Sequence, residues 1–212
     1  MSDVVHPPEP LQLRITEIFR SLQGESDSVG WPTVFIRLTG CPLRCVYCDT
    51  AYAFTGGQRR AIDDIIREVR ALNTKEICVT GGEPLAQPAC VRLLTHLCDE
   101  NFAVSLETSG AIDITDVDPR VRIVMDLKTP SSGELSKNLY TNLDHLKTTD
   151  EVKFVVGNSE DFQWAHEQIL KYQLDQRVNV LISPVFDEIT PVMLAGWILA
   201  TGLRIRMQMQ LH

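Results

Sequence analysis

The sequence predicts an α/β fold, an incomplete parallel β/α barrel, and three observations predict it. From residue 60 onward, short apolar runs of strand character alternate with segments whose apolar residues recur at helical spacing. The repeats number about six, short of the eight that close the common β/α barrel. The polar residues Thr80, Glu107, Asp126, Lys128 and Ser183 fall at the ends of predicted strands, where such folds gather their ligands.

Leu13 to Phe19 and Thr33 to Leu38 read as two strands ahead of the alternation. Ala61 to Leu72 sets Ile62, Ile65, Ile66, Val69 and Leu72 at helical spacing. Glu76 to Thr80 is an apolar run closed by Gly81-Gly82, a buried-strand signal. Pro88 to Asn101 carries Val91, Leu94, Leu97 and Cys98, with the proline placed to open a helix. Strands follow at Phe102 to Glu107 and Val121 to Leu127, then a short helix from Asn138 to Leu146. Val152 to Val156 is a strand ended by Gly157, and Ser159 is expected to cap a helix reaching Tyr172. Val178 to Ile182 is a strand, Pro191 to Thr201 a helix and Leu203 to Met209 the final strand. Residues 1–12 read as a flexible arm and 13–212 as one domain.

The 212 residues carry a formal net charge of -8. Nucleic-acid binding needs a basic footprint, so no such partner is expected. No stretch approaches the ~18 apolar residues that cross a bilayer, and no secretory leader is visible. The expected location is the cytoplasm, where thiols stay reduced and clustered cysteines favour metal or redox chemistry over disulfides. Cys78, Cys90 and Cys98 read as small buried apolar residues.

The other three cysteines stand in the run Gly40-Cys41-Pro42-Leu43-Arg44-Cys45-Val46-Tyr47-Cys48-Asp49-Thr50, spaced C-x3-C-x2-C. Three neighbouring thiolates can ligate one metal centre, one short of the set that closes an electron-transfer cluster. An iron without a protein ligand is open to a substrate or cofactor, so the spacing suggests a reaction centre. Zinc would want a fourth ligand, and His96, His145 and His166 stand at no paired spacing; a zinc-binding interaction module is the alternative from a different class. A second group is Thr80-Gly81-Gly82-Glu83-Pro84. Two glycines after a strand let backbone approach a ligand closely, and Glu83 can accept from an ammonium group. Alone, this is an ordinary strand-to-helix turn.

Taken together, the cysteine triplet and the Gly-Gly-Glu-Pro turn resemble those of the radical S-adenosylmethionine enzymes. The resemblance implies a 4Fe–4S cluster on Cys41, Cys45 and Cys48, with S-adenosylmethionine at the open iron and its amino group received by the turn. Leu22-Gln23-Gly24-Glu25, Arg37, Asp49-Thr50, Glu107-Thr108-Ser109-Gly110 and Asp126-Leu127-Lys128-Thr129-Pro130 follow in an order that resembles the 7-carboxy-7-deazaguanine synthases of the queuosine pathway. This likeness covers roughly residues 13 to 212. It implies 6-carboxy-5,6,7,8-tetrahydropterin as substrate, held by Leu22, Gln23, Gly24, Glu25, Arg37 and Thr80. A forked guanidinium suits the carboxylate of such a substrate.

The same resemblance implies Mg2+ at Thr50. It implies cofactor contacts at Tyr47, Cys48, Asp49, Gly82, Glu83, Glu107, Asp126, Leu127 and Lys128, and along Ser183, Pro184, Val185 and Phe186. The implied reaction is a cofactor-derived radical ring contraction with loss of ammonia, in which no side chain is named as a catalyst. A flavodoxin-like electron donor and a homodimer are implied as well. Lys153 is either a group behind the site or an ordinary strand lysine. An activase of a glycyl-radical enzyme would share the cysteine spacing and the turn, but would need no pterin-binding segment. Two departures stand out. Ser26 follows Glu25 where the family commonly has glycine, and relatives generally continue past the last strand with a closing tail, of which no residue is assigned.

Overall fold

The computed structural model describes residues 11–211; residues 1–10 of the expected arm, and His212, lie outside the described residues. The elements are β1 (Gln12–Leu22), β2 (Pro32–Leu38), β3 (Gln58–Ala61), α1 (Ile62–Ala71), β4 (Glu76–Gly81), α2 (Cys90–Asp99), β5 (Ala103–Thr108) and β6 (Arg122–Asp126). β7 (Glu151–Val156), α3 (Ser159–Tyr172), α4 (Leu174–Arg177), β8 (Asn179–Pro184), α5 (Pro191–Thr201) and β9 (Ile205–Met207) complete them. All nine strands form one sheet in the order β3-β1-β2-β4-β5-β6-β7-β8-β9. From β2 to β9 every neighbouring pair in that order is parallel, as expected. The sheet is open, with β3 and β9 at its edges.

Three local expectations are corrected. β1 pairs antiparallel with both β2 and β3, and β3 was not among the expected strands. β3 is the polar run Gln-Arg-Arg-Ala on an edge, without the apolar alternation that marks a strand. The short helix expected from Asn138 to Leu146 is a 3-10 segment confined to Tyr140–His145. Asn142, buried inside it, accepts from Ile114 N and donates to the Gly110 and Ile112 carbonyls, so the segment answers to its neighbours rather than to helical spacing. The cap of α3 is Asn158, whose Oδ1 accepts from Asp161 N at 2.9 Å, one residue ahead of Ser159.

Strand alternation divides the sheet into two unlike faces. Val34, Ile36, Leu38, Ile77, Val79, Val104, Leu106, Ile123, Met125, Val152, Phe154, Val156, Val180 and Ile182 belong to one apolar core with the helices. Ile62, Ile65, Ile66 and Val69 of α1 and Leu93, Leu94 and Leu97 of α2 join it. The residues between them point the other way: Phe35 and Arg37 on β2, Thr80 on β4, Glu107 on β5, Asp126 on β6 and Lys153 on β7. The second face is therefore polar and charged, an arrangement that a buried sheet carries only where it lines a chamber.

β1 runs against the parallel set, so the loop after it lies at the N-terminal ends of the parallel strands. This loop crosses to the far side of the sheet. Asp27 N donates to Glu151 Oε2 at 3.2 Å, Asn179 Nδ2 donates to Asp27 Oδ2 at 3.3 Å, and Arg206 pairs with Asp27 Oδ1 at 2.6 Å. The contacts show the sheet curling until its first loop floors the space between β2 and β9. Ser26 adopts φ +66°, the left-handed conformation that glycine takes most readily.

Glu151 is buried in this floor. Burial first, then the charge of Asp27, push its carboxyl up to about 7 from an ordinary 4.5. The folded chain thus keeps a proton that the unfolded chain releases, and the associated stability is lost as pH rises from about 4.5 through 7. Glu151→Gln is expected to change the unfolding midpoint little at pH 5 and to raise it at pH 8, as calorimetry at the two pH values will read.

Candidate active site

The curled sheet encloses a cavity of ≈ 710 Å³, within the range of small-molecule sites. Leu22, Gln23, Gly24, Glu25, Arg37 and Thr80, the six residues expected to hold substrate, all line it. So do Cys41, Cys45, Cys48 and Thr50, and of the expected cofactor contacts Tyr47, Asp49, Gly82, Glu107, Asp126, Lys128, Val185 and Phe186. Glu83, Leu127, Ser183 and Pro184 do not reach it. Leu127 and Ser183 are fully buried behind the wall.

The cysteine loop leaves β2 at the C-terminal side of the sheet and is tied down by backbone. Gly82 N donates to Leu38 O at 3.2 Å and Glu83 N to Gly40 O at 2.8 Å. These bonds require the two glycines. A Cβ on Gly82 would stand 2.3 Å from Gly40 O and 2.8 Å from Cys41 Cβ, and one on Gly81 would stand 2.3 Å from Leu38 O. The Gly-Gly turn is thus what lets β4 end against the start of the cysteine loop. On the other side, Val46 N donates to Ser132 O at 3.0 Å and Arg44 N to Glu134 Oε1 at 2.5 Å. Asp161 holds that supporting loop, accepting from Ser131 N and Gly157 N at 2.9 Å each and from the Ser131 hydroxyl.

Cys41, Cys45 and Cys48 are free and half-buried, whereas Cys78, Cys90 and Cys98 are buried as expected. Burial pushes the Cys41 and Cys45 thiols up, and Lys128 pulls each of them back. Leu43 N donates to Cys41 Sγ at 3.4 Å, a donor suited to a thiolate. Among the described residues, no three His, Cys, Asp or Glu side chains converge on a single ion. Three separated thiols on one rim do not suit a single zinc ion. They do suit an iron–sulfur cluster, whose ligands attach to different irons.

Glu83 sits behind the turn rather than on the cavity wall. Its carboxylate is fully buried and accepts from Thr108 Oγ1 at 2.9 Å, Ser109 N at 2.7 Å, Ser109 Oγ at 2.5 Å and Leu85 N at 3.0 Å. It welds the end of β5 to the turn after β4, and what the turn offers the cavity is the backbone at Gly81 and Gly82.

The chamber wall alternates in charge. Thr80 Oγ1 donates to Glu107 Oε2 at 2.8 Å and Gln23 Nε2 to Glu107 Oε1 at 3.3 Å. Lys128 Nζ lies 3.1 Å from Asp126 Oδ2, and Lys153 Nζ lies 2.6 Å from Glu25 Oε2 and 3.7 Å from Asp126 Oδ2. Burial pulls both ammonium groups down. Their neighbours together outweigh it, Asp126 with Cys45 and Tyr47 at Lys128 and Glu25 with Asp126 and Glu107 at Lys153, and both pKa values rise. Asp126 Oδ1 is buried with no hydrogen-bond partner among the described residues. Burial raises the Tyr47 phenol to about 12, so it stays a neutral donor toward Val155 O at 3.4 Å. Thr50 Oγ1 donates to Asp49 Oδ1 at 2.5 Å, placing two oxygen groups together on the rim.

Several lining residues escaped the sequence reading. Phe19 and Phe35 stack at 5.1 Å between centroids and form an aromatic patch beside Arg37. Gln210 lines the cavity and donates to Glu25 Oε1 at 2.7 Å. Phe35 had a legible signal, since it shares strand parity with Arg37. Gln210 had none. Lys153, read from sequence as either a group behind the site or an ordinary strand lysine, lines the cavity.

The radical SAM superfamily profile matches residues 35–190. The chain is 42% identical over 203 residues to a 7-carboxy-7-deazaguanine synthase from Chlorobaculum tepidum, covering 94% of this chain and 92% of that one. It is 41% identical over 202 residues to a 7-carboxy-7-deazaguanine synthase from Methanospirillum hungatei, covering 94% and 84%. A crystal structure of QueE from Escherichia coli superposes with a TM-score of 0.78 at 24% identity, covering 95% of each chain, and shares the fold. Radical SAM membership implies a 4Fe–4S cluster and S-adenosylmethionine, and the three-thiol rim fits that cluster. The chain belongs to the radical SAM superfamily and, within it, to the 7-carboxy-7-deazaguanine synthase family.

Proposed function

We propose that the chain converts 6-carboxy-5,6,7,8-tetrahydropterin to 7-carboxy-7-deazaguanine with loss of ammonia. The observation that carries this reading is a free three-thiol loop at the rim of a cavity with Arg37, Thr80 and Glu25 on its wall. Cys41, Cys45 and Cys48 would hold the cluster. When bound, the cluster and S-adenosylmethionine supply a carbon radical able to take hydrogen from the substrate.

The chain's own residues do the rest. Gly82, Tyr47, Asp49, Asp126 and Lys128 border the space for the cofactor. Val185 and Phe186 stand at the rim, while Glu83, Leu127, Ser183 and Pro184 support the wall from behind. Gln23, Glu107 and Thr80 form one hydrogen-bonded string suited to the amide and amine edges of a pterin. Arg37 receives the carboxylate, and Phe19 and Phe35 offer a flat apolar face to the ring. Curling of the sheet and the loop from Gln23 to Ser28 exclude water from below.

Further parts of the reading rest on the family likeness. Thr50, beside Asp49, is proposed to bind Mg2+ with the substrate carboxylate, since oxygen ligands suit that ion. A flavodoxin-like donor reduces the cluster, the protein acts as a homodimer in the cytoplasm, and residues 13–212 form one domain. Among the described residues no helix is long and apolar enough to cross a membrane. The run from Leu22 to Glu25, which lines the cavity and which an activase of a protein radical would not need, favours this reading.

Titration calorimetry of the reconstituted protein with 7-carboxy-7-deazaguanine tests the substrate assignment. One equivalent is expected to bind, and Arg37→Ala is expected to weaken binding about 10-fold or more, the scale of a charged hydrogen bond. Failure of the compound to bind the wild-type protein would remove the assignment.

A further inference from the structure

Arg37 is held from behind by two residues that do not touch the cavity. Glu17 on β1 lies directly opposite Arg37 on the antiparallel β2. Arg37 Nε donates to Glu17 Oε1 at 2.7 Å, and Tyr52, just past the cysteine loop, donates its hydroxyl to the same oxygen at 2.8 Å. The guanidinium carbon stands 6.0 Å from the Phe19 ring centroid and 5.8 Å from that of Tyr52, so aromatic faces limit its swing. Arg37 lines the cavity; Glu17 and Tyr52 do not. Among the described residues the Arg37 side chain makes no hydrogen bond to protein other than the one from Nε.

A cross-strand ion pair on a sheet is ordinary and stabilises it only slightly. Two details go beyond that. Glu17 takes the Nε edge alone, leaving the Nη1–Nη2 edge of the fork for a second planar anion. The shared Glu17 oxygen also joins three segments, β1, β2 and the turn after the cysteine loop, and so fixes the fork relative to the rim.

We propose that Glu17 and Tyr52 are positioning residues that orient Arg37 for a substrate carboxylate and set the preference for a carboxylated ring. This rests on the reading of Arg37 as the carboxylate receptor. Without Glu17 the fork would turn, and one point contact would replace a two-bond clamp.

The test uses the reconstituted holoenzyme and compares Glu17→Gln, Tyr52→Phe and Arg37→Ala with wild type. Each is assayed on the 6-carboxy-tetrahydropterin and on its 6-carboxamide, with product affinity measured by calorimetry. Glu17→Gln is expected to raise KM for the carboxylate about 10-fold with kcat within about 3-fold, as for loss of one charged hydrogen bond. It should narrow the carboxylate-over-carboxamide ratio in kcat/KM by a similar factor, with Tyr52→Phe showing the same pattern at about 3-fold. If Arg37→Ala loses affinity while both other variants keep wild-type KM and selectivity, the proposal is overturned and the Arg37 reading survives. If Arg37→Ala itself binds as wild type, that reading fails and the proposal with it. A loss confined to kcat in Glu17→Gln, or an equal loss on both substrates, marks a purely structural role and overturns the proposal. Tyr52 is largely exposed, so its variant folds even if a Glu17 variant does not.

Discussion

Replacing Cys41, Cys45 or Cys48 singly with alanine is expected to abolish turnover, by at least about 10³-fold, and to strip the protein of iron. Each thiol lines the cavity rim, and none belongs to the apolar core. The backbone bonds that shape the loop, from Gly82 N, Glu83 N and Val46 N, do not involve the thiols. The apo variants should therefore unfold within about 1 °C to 3 °C of apo wild type, as surface changes do. Cys90 is the internal control. It is fully buried in the core, and its thiol is pushed far up by burial. Cys90→Ala is expected to keep its iron and activity and to lose about 1 kcal/mol of stability. Iron and sulfide analysis beside calorimetry separates the two sets.

Glu83→Ala is expected to be the most destabilising single change near the site. It would leave Thr108 Oγ1, Ser109 N, Ser109 Oγ and Leu85 N without their acceptor in a fully buried place. Unmet buried donors of this kind cost about 3–5 kcal/mol together. For a chain of this size that lowers the unfolding midpoint by about 6–15 °C. The alternative is that the carboxylate serves the cofactor directly. In that case the apo midpoint would stay near wild type and only S-adenosylmethionine affinity would fall.

Much of the fold was legible because it is built from repeats with one apolar face. Ile62, Ile65, Ile66 and Val69 announce α1, and Gly81-Gly82 announces the end of β4. What escaped has a common physical cause. β3 is a short polar edge strand, stabilised by β1 rather than by its own pattern. Asn142 turns a plausible helix into a 3-10 segment through bonds to a distant loop, which no local spacing records. The same holds at the site. Motif residues are readable one at a time, and all six expected substrate residues line one cavity. Their supports are not readable, since Glu17, Asp161 and Gln210 act through partners far away in sequence. Glu83 shows the converse: a residue inside a recognisable motif whose carboxylate is taken up entirely by the fold.

The central claim is that the thiol rim and the polar chamber act together on a carboxylated tetrahydropterin. The direct measurement is anaerobic incubation of the reconstituted protein with that pterin, S-adenosylmethionine and a reductant, followed by mass spectrometry of the products. One 7-carboxy-7-deazaguanine and one ammonia are expected per pterin consumed, and neither from Cys45→Ala. Formation of 5′-deoxyadenosine without any deazaguanine would contradict the claim.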